Sequence, residues 1–110
     1  MKLLAILLLL PSPLLAQSIY SCSGTVTSVA LAPSGMLTVT VGPLVNVYLC
    51  EIGNTYNGIS ADVCSAIYAH LLSARTTGSQ ELFNFNDGGT CSGHTSWAAL
   101  TGWYYGPQFN

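Results

Sequence analysis

Few side chains in this sequence could carry acid–base chemistry. The 110 residues include two histidines, four carboxylates and two basic residues, Lys2 and Arg75. A histidine and a carboxylate together could serve a small hydrolase or nuclease as general base and general acid. The groups that could take part are His70, His94, Glu51, Asp62, Glu81 and Asp87.

The residues around these groups do not form a catalytic motif. His94 lies in "CSGHTSW", which is not a nucleophile elbow, and "TGSQ" and "NDGGT" are not phosphate-binding loops. His70 falls inside a helical pattern, at a core-edge position. We therefore predict that the chain is not an enzyme and that it uses no cofactor.

The four cysteines are better explained by disulfides than by a metal. The sequence has no Cys-x-x-Cys pair, and the histidines do not stand at ligand spacing from the cysteines. A small exported chain with four cysteines predicts two disulfides, for which three pairings are open. A Cys50–Cys64 bond would tie the end of a strand to the first turn of a helix, at a gain of about 3 kcal/mol. It would leave Cys22 to pair with Cys91.

Residues 1–16 have the layout of a secretory signal peptide. Lys2 precedes the apolar run "LLAILLLL", a Pro-Ser-Pro break and the small residue Ala16. We predict cleavage after Ala16 and a single secreted or periplasmic domain at 17–110. A membrane anchor is an alternative, but the run is shorter than the roughly 20 residues that cross a bilayer. A lipoprotein anchored through Cys22 would leave an odd number of cysteines.

The charge of the mature chain restricts its partners. Removal of the leader leaves 94 of the 110 residues, and one arginine against four carboxylates gives a net charge of −3. A single arginine cannot neutralise a row of phosphates. We therefore predict no nucleic-acid partner and no membrane span after signal cleavage, and we expect an uncharged or weakly polar ligand.

Apolar periodicity predicts five strands and one helix. The third strand should place Val45, Val47 and Leu49 on one face. Ser60 is a good N-cap and Gly78 a good terminator for the helix, which lies between the third and fourth strands. The predicted strands are residues 24–32, 36–42, 43–51, 80–86 and 102–106.

This order of elements predicts a mainly β fold. Five strands with a helix between the third and fourth is the layout of the oligonucleotide/oligosaccharide-binding fold (OB-fold), a small Greek-key barrel. We therefore predict an OB-fold-like barrel stapled by disulfides. An open antiparallel sheet with one packed helix is the alternative.

Several short motifs resemble those of a known family. The export leader, "YSCSGTV", "YLC", a cysteine fourteen residues further on and "TTG" before an aromatic strand resemble the B subunits of AB5 toxins of the subtilase-cytotoxin and pertussis-like type. The resemblance covers residues 20–91 and extends to small exported bacterial proteins of unassigned function. It implies an OB-fold pentamer that binds sialylated glycans. Ser23 matches a serine of the glycan pocket, and Phe85 stands where the family uses a tyrosine hydroxyl.

Amide, hydroxyl and aromatic side chains provide the candidate binding residues. Sugars need an aromatic surface for their apolar side and directional partners for their hydroxyls. The candidate ligand-binding residues are Ser23, Thr55, Tyr56, Asn57, Asn84, Phe85, Asn86, Trp97 and Tyr104.

We therefore predict an exported binding domain for a glycan or a protein receptor, with a homopentamer as the toxin-like form. An alternative from another functional class is an inhibitor or assembly partner that inserts its 50–64 loop into a partner protein. A disulfide-clamped loop loses little entropy on binding.

Overall fold

The computed structural model describes residues 19–110, so the predicted signal peptide at 1–16 lies outside the described residues. The described part is mainly β with one α-helix, as predicted, and a short three-ten turn follows β4 at Cys91–Gly93. In chain order the elements are β1 (Tyr20–Leu31), β2 (Met36–Val41), β3 (Leu44–Glu51), α1 (Ala61–Thr77), β4 (Gln80–Phe85) and β5 (Trp103–Phe109).

All five strands belong to one antiparallel sheet in the order β3-β2-β1-β4-β5. The long strand β1 is central, because its first half pairs with β4 and its second half with β2. The sheet does not close into the predicted barrel, since β3 and β5 form its two opposite ends. Among the described residues, a parallel bridge between Tyr48 and Ala99 links β3 to the segment before β5.

The core lies between the sheet and α1. Alternation along β4 turns Phe83 and Phe85 into the core with 0% exposure. Ile67 and Leu71 of α1 are buried against this face. No helix among residues 19–110 is long and apolar enough to cross a membrane.

The ends of α1 agree with the predicted caps. The Ser60 hydroxyl accepts a hydrogen bond from the backbone N–H of Val63 at 3.3 Å, which satisfies one donor of the first turn. Gly78 adopts a left-handed φ of +75° and its N–H donates to the Ala74 carbonyl, which ends the helix. Local sequence signals therefore fix this helix at both ends.

The predicted face of Val45 is wrong, because β3 contains a bulge at this point. Val39 pairs with Val47 and Val41 with Leu44, so two residues of β3 lie opposite one residue of β2. Asn46 takes a left-handed φ of +49°, and its N–H donates to the Thr40 hydroxyl at 3.0 Å. The bulge turns Val45 outward to 45% exposure.

Two disulfides connect the elements across the fold. Cys50 pairs with Cys64 over 14 residues, and Cys22 pairs with Cys91 over 69 residues, which confirms the favoured pairing. The first bond ties the end of β3 to the first turn of α1. The second joins the centre of the sheet to the segment between β4 and β5. No cysteine of the described chain is free.

The two bonds should differ in their contribution to stability. In the chain-entropy model, closing a loop of 14 residues gains about 3 kcal/mol and closing one of 69 gains about 4.4 kcal/mol. Replacing both Cys22 and Cys91 by alanine should therefore lower the free energy of unfolding more than the same change at Cys50 and Cys64. Urea unfolding of the two double variants measures this. The opposite ranking would contradict the entropic account.

Candidate functional site

The strands β1, β4 and β5 present one continuous surface on the side of the sheet away from the core. Cross-strand pairing aligns Ser21 with Asn84 and Asn84 with Tyr105. A second, neighbouring row aligns Ser23 with Leu82 and Leu82 with Gln108. The surface includes Ser23 and Asn84 of the predicted site. We call it the outer face and define it as Ser21, Ser23, Leu82, Asn84, Tyr105 and Gln108.

Hydrogen bonds join three polar side chains across the outer face. The Ser21 hydroxyl donates to Oδ1 of Asn84 at 2.8 Å, and Nδ2 of Asn84 donates to Oε1 of Gln108 at 2.8 Å. Neighbouring strands lie about 4.8 Å apart, so this chain spans about 10 Å. The ring of Tyr105 is 64% exposed beside it. The outer face therefore combines fixed polar groups with an aromatic surface.

A second candidate surface lies where the loop after β3 meets the start of α1. It is a groove of about 330 Å³, here called the loop groove, and it brings Asn57 close to Tyr104. Asn57 adopts a left-handed φ of +57°, and its Nδ2 donates to the Leu100 carbonyl at 2.7 Å. The lining includes Val63, which is 52% exposed. The lining of the loop groove thus combines apolar and polar residues.

The remaining predicted residues are scattered. Phe85 lies in the core with 0% exposure, so it stacks on Tyr20 rather than facing a ligand surface. Asn86 is exposed just beyond β4, and Trp97 is 63% exposed against the edge of Tyr48. In the loop after β3, Thr55 is exposed and Tyr56 is partly buried. The structure therefore does not gather the nine candidates into one site.

Tyr20, Asp87 and His94 form a hydrogen-bonded cluster that sequence analysis did not connect. The Tyr20 hydroxyl donates to Oδ1 of Asp87 at 2.7 Å and lies 3.2 Å from Nε2 of His94. Burial and the neighbouring Asp87 raise the pKa of Tyr20 to about 12. The hydrogen bonds from Tyr20 and from the Gly89 N–H lower the pKa of Asp87. The 67-residue separation of Tyr20 and Asp87 hid this contact.

Glu81 is a carboxyl group in the core, where the alternation of β4 places it. Its Oε1 lies 2.6 Å from Nε2 of His70, while its buried Oε2 has no hydrogen-bond partner within residues 19–110. Desolvation raises the pKa of Glu81, and the contact with His70 opposes this only in part. His70 in turn packs against Phe109, with ring centroids 4.2 Å apart. The pair thus links α1, β4 and β5.

Neither the sequence nor the fold leads to a known relative. No family model, curated protein or solved structure matches this chain. In residues 19–110, no group of three histidine, cysteine or carboxylate side chains lies close enough together to hold a metal ion.

Glu81 and Asp87 should give opposite pH dependences of stability. Because the folded pKa of Glu81 is raised, its stabilising contribution is present at acid pH and is lost as the pH rises through that pKa. Because the folded pKa of Asp87 is lowered, its contribution is present above the unfolded pKa and is lost as the pH falls through the folded pKa.

Urea unfolding over a pH series tests these signs. Relative to the unmodified chain, Glu81→Gln should gain stability as the pH rises towards neutral. Asp87→Asn should be less stable at neutral pH, and its deficit should shrink at acid pH. A Glu81→Gln variant whose stability follows the unmodified chain at every pH would contradict the assigned burial effect.

Removing the Tyr20 hydroxyl should loosen the segment after β4. Tyr20→Phe loses the hydrogen bond to Asp87 and the contact with His94, which should cost about 1–3 kcal/mol of unfolding free energy. It should also abolish the tyrosinate absorbance transition at a pH of about 12. Tyr104→Phe is the control, because that side chain is 54% exposed. Equal losses in the two variants would contradict the assigned role.

Proposed function

We propose that this chain is an exported binding domain that recognises a glycan on its outer face. The observation that carries the proposal is the hydrogen-bonded chain from Ser21 through Asn84 to Gln108, beside the exposed ring of Tyr105. Two disulfides are compatible with an oxidising compartment and hence with export.

The chemistry of this surface suits a sugar. The apolar side of a pyranose ring needs an apolar surface such as the Tyr105 ring, and sugar hydroxyls need fixed donors and acceptors. Cross-strand hydrogen bonds hold the polar groups in place before a ligand arrives, which reduces the entropy lost on binding. The partly exposed Leu82 adds an apolar patch between Ser23 and Gln108.

The relation to toxin B subunits is part of this proposal. The order β3-β2-β1-β4-β5, the helix after β3 and the parallel bridge from Ala99 to Tyr48 support an open variant of the OB-fold. A ring of five copies would multiply a weak affinity for each glycan. Native mass spectrometry of the unreduced protein is expected to give a pentamer, and a monomer would remove this part of the proposal.

The loop groove supports a second candidate function, binding to a protein. The loop before α1 is held at both ends by Cys50–Cys64, and Tyr56 and Ile59 exchange backbone hydrogen bonds within it. Val63 is exposed at the groove despite being apolar. An inhibitor or receptor-binding domain would use such a disulfide-held loop together with an exposed apolar side chain.

Binding of labelled protein to cultured cells, before and after enzymatic removal of their glycans, separates the two functions. Glycan recognition predicts that enzyme treatment abolishes binding and that Asn84→Ala and Tyr105→Ala each weaken it roughly tenfold, the equivalent of about 1.4 kcal/mol. Ser65→Ala, exposed on α1, should bind like the unmodified chain.

The reverse pattern would reject the glycan proposal in favour of a protein receptor. In that case binding survives glycan removal, Asn84→Ala has no effect and Val63→Asp abolishes binding. Circular dichroism of every variant confirms that each is folded before its binding is compared.

A further inference from the structure

The amide of Asn84 makes three hydrogen bonds within the protein. An asparagine side chain offers two N–H donors and one carbonyl oxygen with two lone pairs. Oδ1 accepts from the Ser21 hydroxyl, and Nδ2 donates both to Oε1 of Gln108 and to the main-chain carbonyl of Tyr105, at 2.8 Å and 3.4 Å. Both donors of Asn84 are therefore used inside the protein, and Asn84 is a positioning residue that orients its neighbours.

The Tyr105 carbonyl fixes the direction of this hydrogen-bonded chain. A main-chain carbonyl can only accept, so the amide nitrogen of Asn84 must lie on the β5 side and its oxygen on the β1 side. The orientation of Gln108 follows, because its Oε1 must face the Asn84 donor. Its Nε2 is then directed away from Asn84, and no other side chain or carbonyl in residues 19–110 accepts a hydrogen bond from it.

At the Ser21 end of these hydrogen-bonded side chains the free group is an acceptor, not a donor. The single hydroxyl hydrogen of Ser21 points to Asn84, so its oxygen keeps lone pairs for an incoming donor. The outer face therefore presents a donor at Gln108 and an acceptor at Ser21, about 10 Å apart across three strands.

The outer face carries no charge. None of its six defining residues is ionisable near neutral pH, and Arg75, the one lysine or arginine in residues 19–110, lies in the last turn of α1, which packs on the other side of the sheet. Desolvating a ligand carboxylate against neutral groups is costly when no cation compensates it. Four carboxylates on the same chain add repulsion.

We propose that the Ser21–Asn84–Gln108 chain makes the outer face selective for an uncharged glycan, with Gln108 Nε2 donating to a sugar oxygen and Ser21 Oγ accepting from a sugar hydroxyl. This inference rests on the proposed glycan-binding function and differs from the sialylated ligand that the family resemblance implies. Gln108 is then the residue that determines specificity.

A panel of immobilised glycans with matched neutral and sialylated members, including lactose, N-acetyllactosamine and sialyllactose, tests the inference. The unmodified chain should bind neutral members, with at least about tenfold weaker binding to their sialylated counterparts. Gln108→Glu exchanges the donor for an acceptor of the same shape and should reduce neutral binding by a similar factor. Gln80→Glu adds the same charge to β4 outside the hydrogen-bonded chain and serves as the matched control.

Side-chain amide signals in heteronuclear NMR give a readout independent of affinity. The Gln108 amide pair should shift on addition of N-acetyllactosamine, and in Asn84→Asp it should move without ligand, because an acid at 84 reverses the orientation of Gln108. The inference is supported if Gln108→Glu loses binding to the neutral glycans and Gln80→Glu keeps it. Binding restricted to sialylated members, or unchanged in Gln108→Glu, overturns it and leaves the glycan function standing. Binding to no member of the panel rejects the glycan function itself.

Discussion

The Cys22–Cys91 disulfide is the constraint on which the second half of the fold depends. Cys22 lies on the buried side of β1, the central strand, and its partner anchors a segment that has little regular structure of its own. Around the bond, Tyr20 stacks on Phe85 with ring centroids 5.0 Å apart, and His94 packs on Phe85 at 4.6 Å. This anchored segment leads directly into β5. Because β5 supplies one side of the outer face, a bond made in the core determines the arrangement of a surface.

Sequence periodicity located most elements because the signals for them are local. The helix caps at Ser60 and Gly78 and the alternation of β4 depend on neighbours within a few residues. The bulge at Asn46 was not foreseen, since it arises from a mismatch between β2 and β3 that neither strand shows alone. The buried position of Glu81 was not predicted, and full burial is unusual for a carboxyl group. Its partner, His70, belongs to a different element.

The outer face contains two of the candidate binding residues named from the sequence. Ser23, which the family resemblance suggested, and Asn84, chosen for its amide side chain, both lie there. Gln108 was not among the candidates because the predicted last strand ended at residue 106, whereas β5 extends to Phe109. The pairing of β5 with β4 also contains register shifts on both sides of Asn84, which the sequence of β5 does not reveal. Phe85, assigned by family resemblance, obeys the alternation of its strand and lies in the core. Hydrogen-bond partners across strands are properties of register, and register is set by the whole sheet.

The segment before β5 has a consequence for solubility. An exposed edge strand displays unpaired N–H and C=O groups, to which another chain can add. Here the N–H of Tyr48 donates to the Ala98 carbonyl, and the Leu100 N–H donates back to the carbonyl of Tyr48. The Trp97 N–H donates to the Asn46 carbonyl within the bulge, at 2.7 Å. The chain thus caps this stretch of β3 with its own backbone, and the bulge bends the same edge. This stretch of the β3 edge is therefore closed to the addition of a foreign strand.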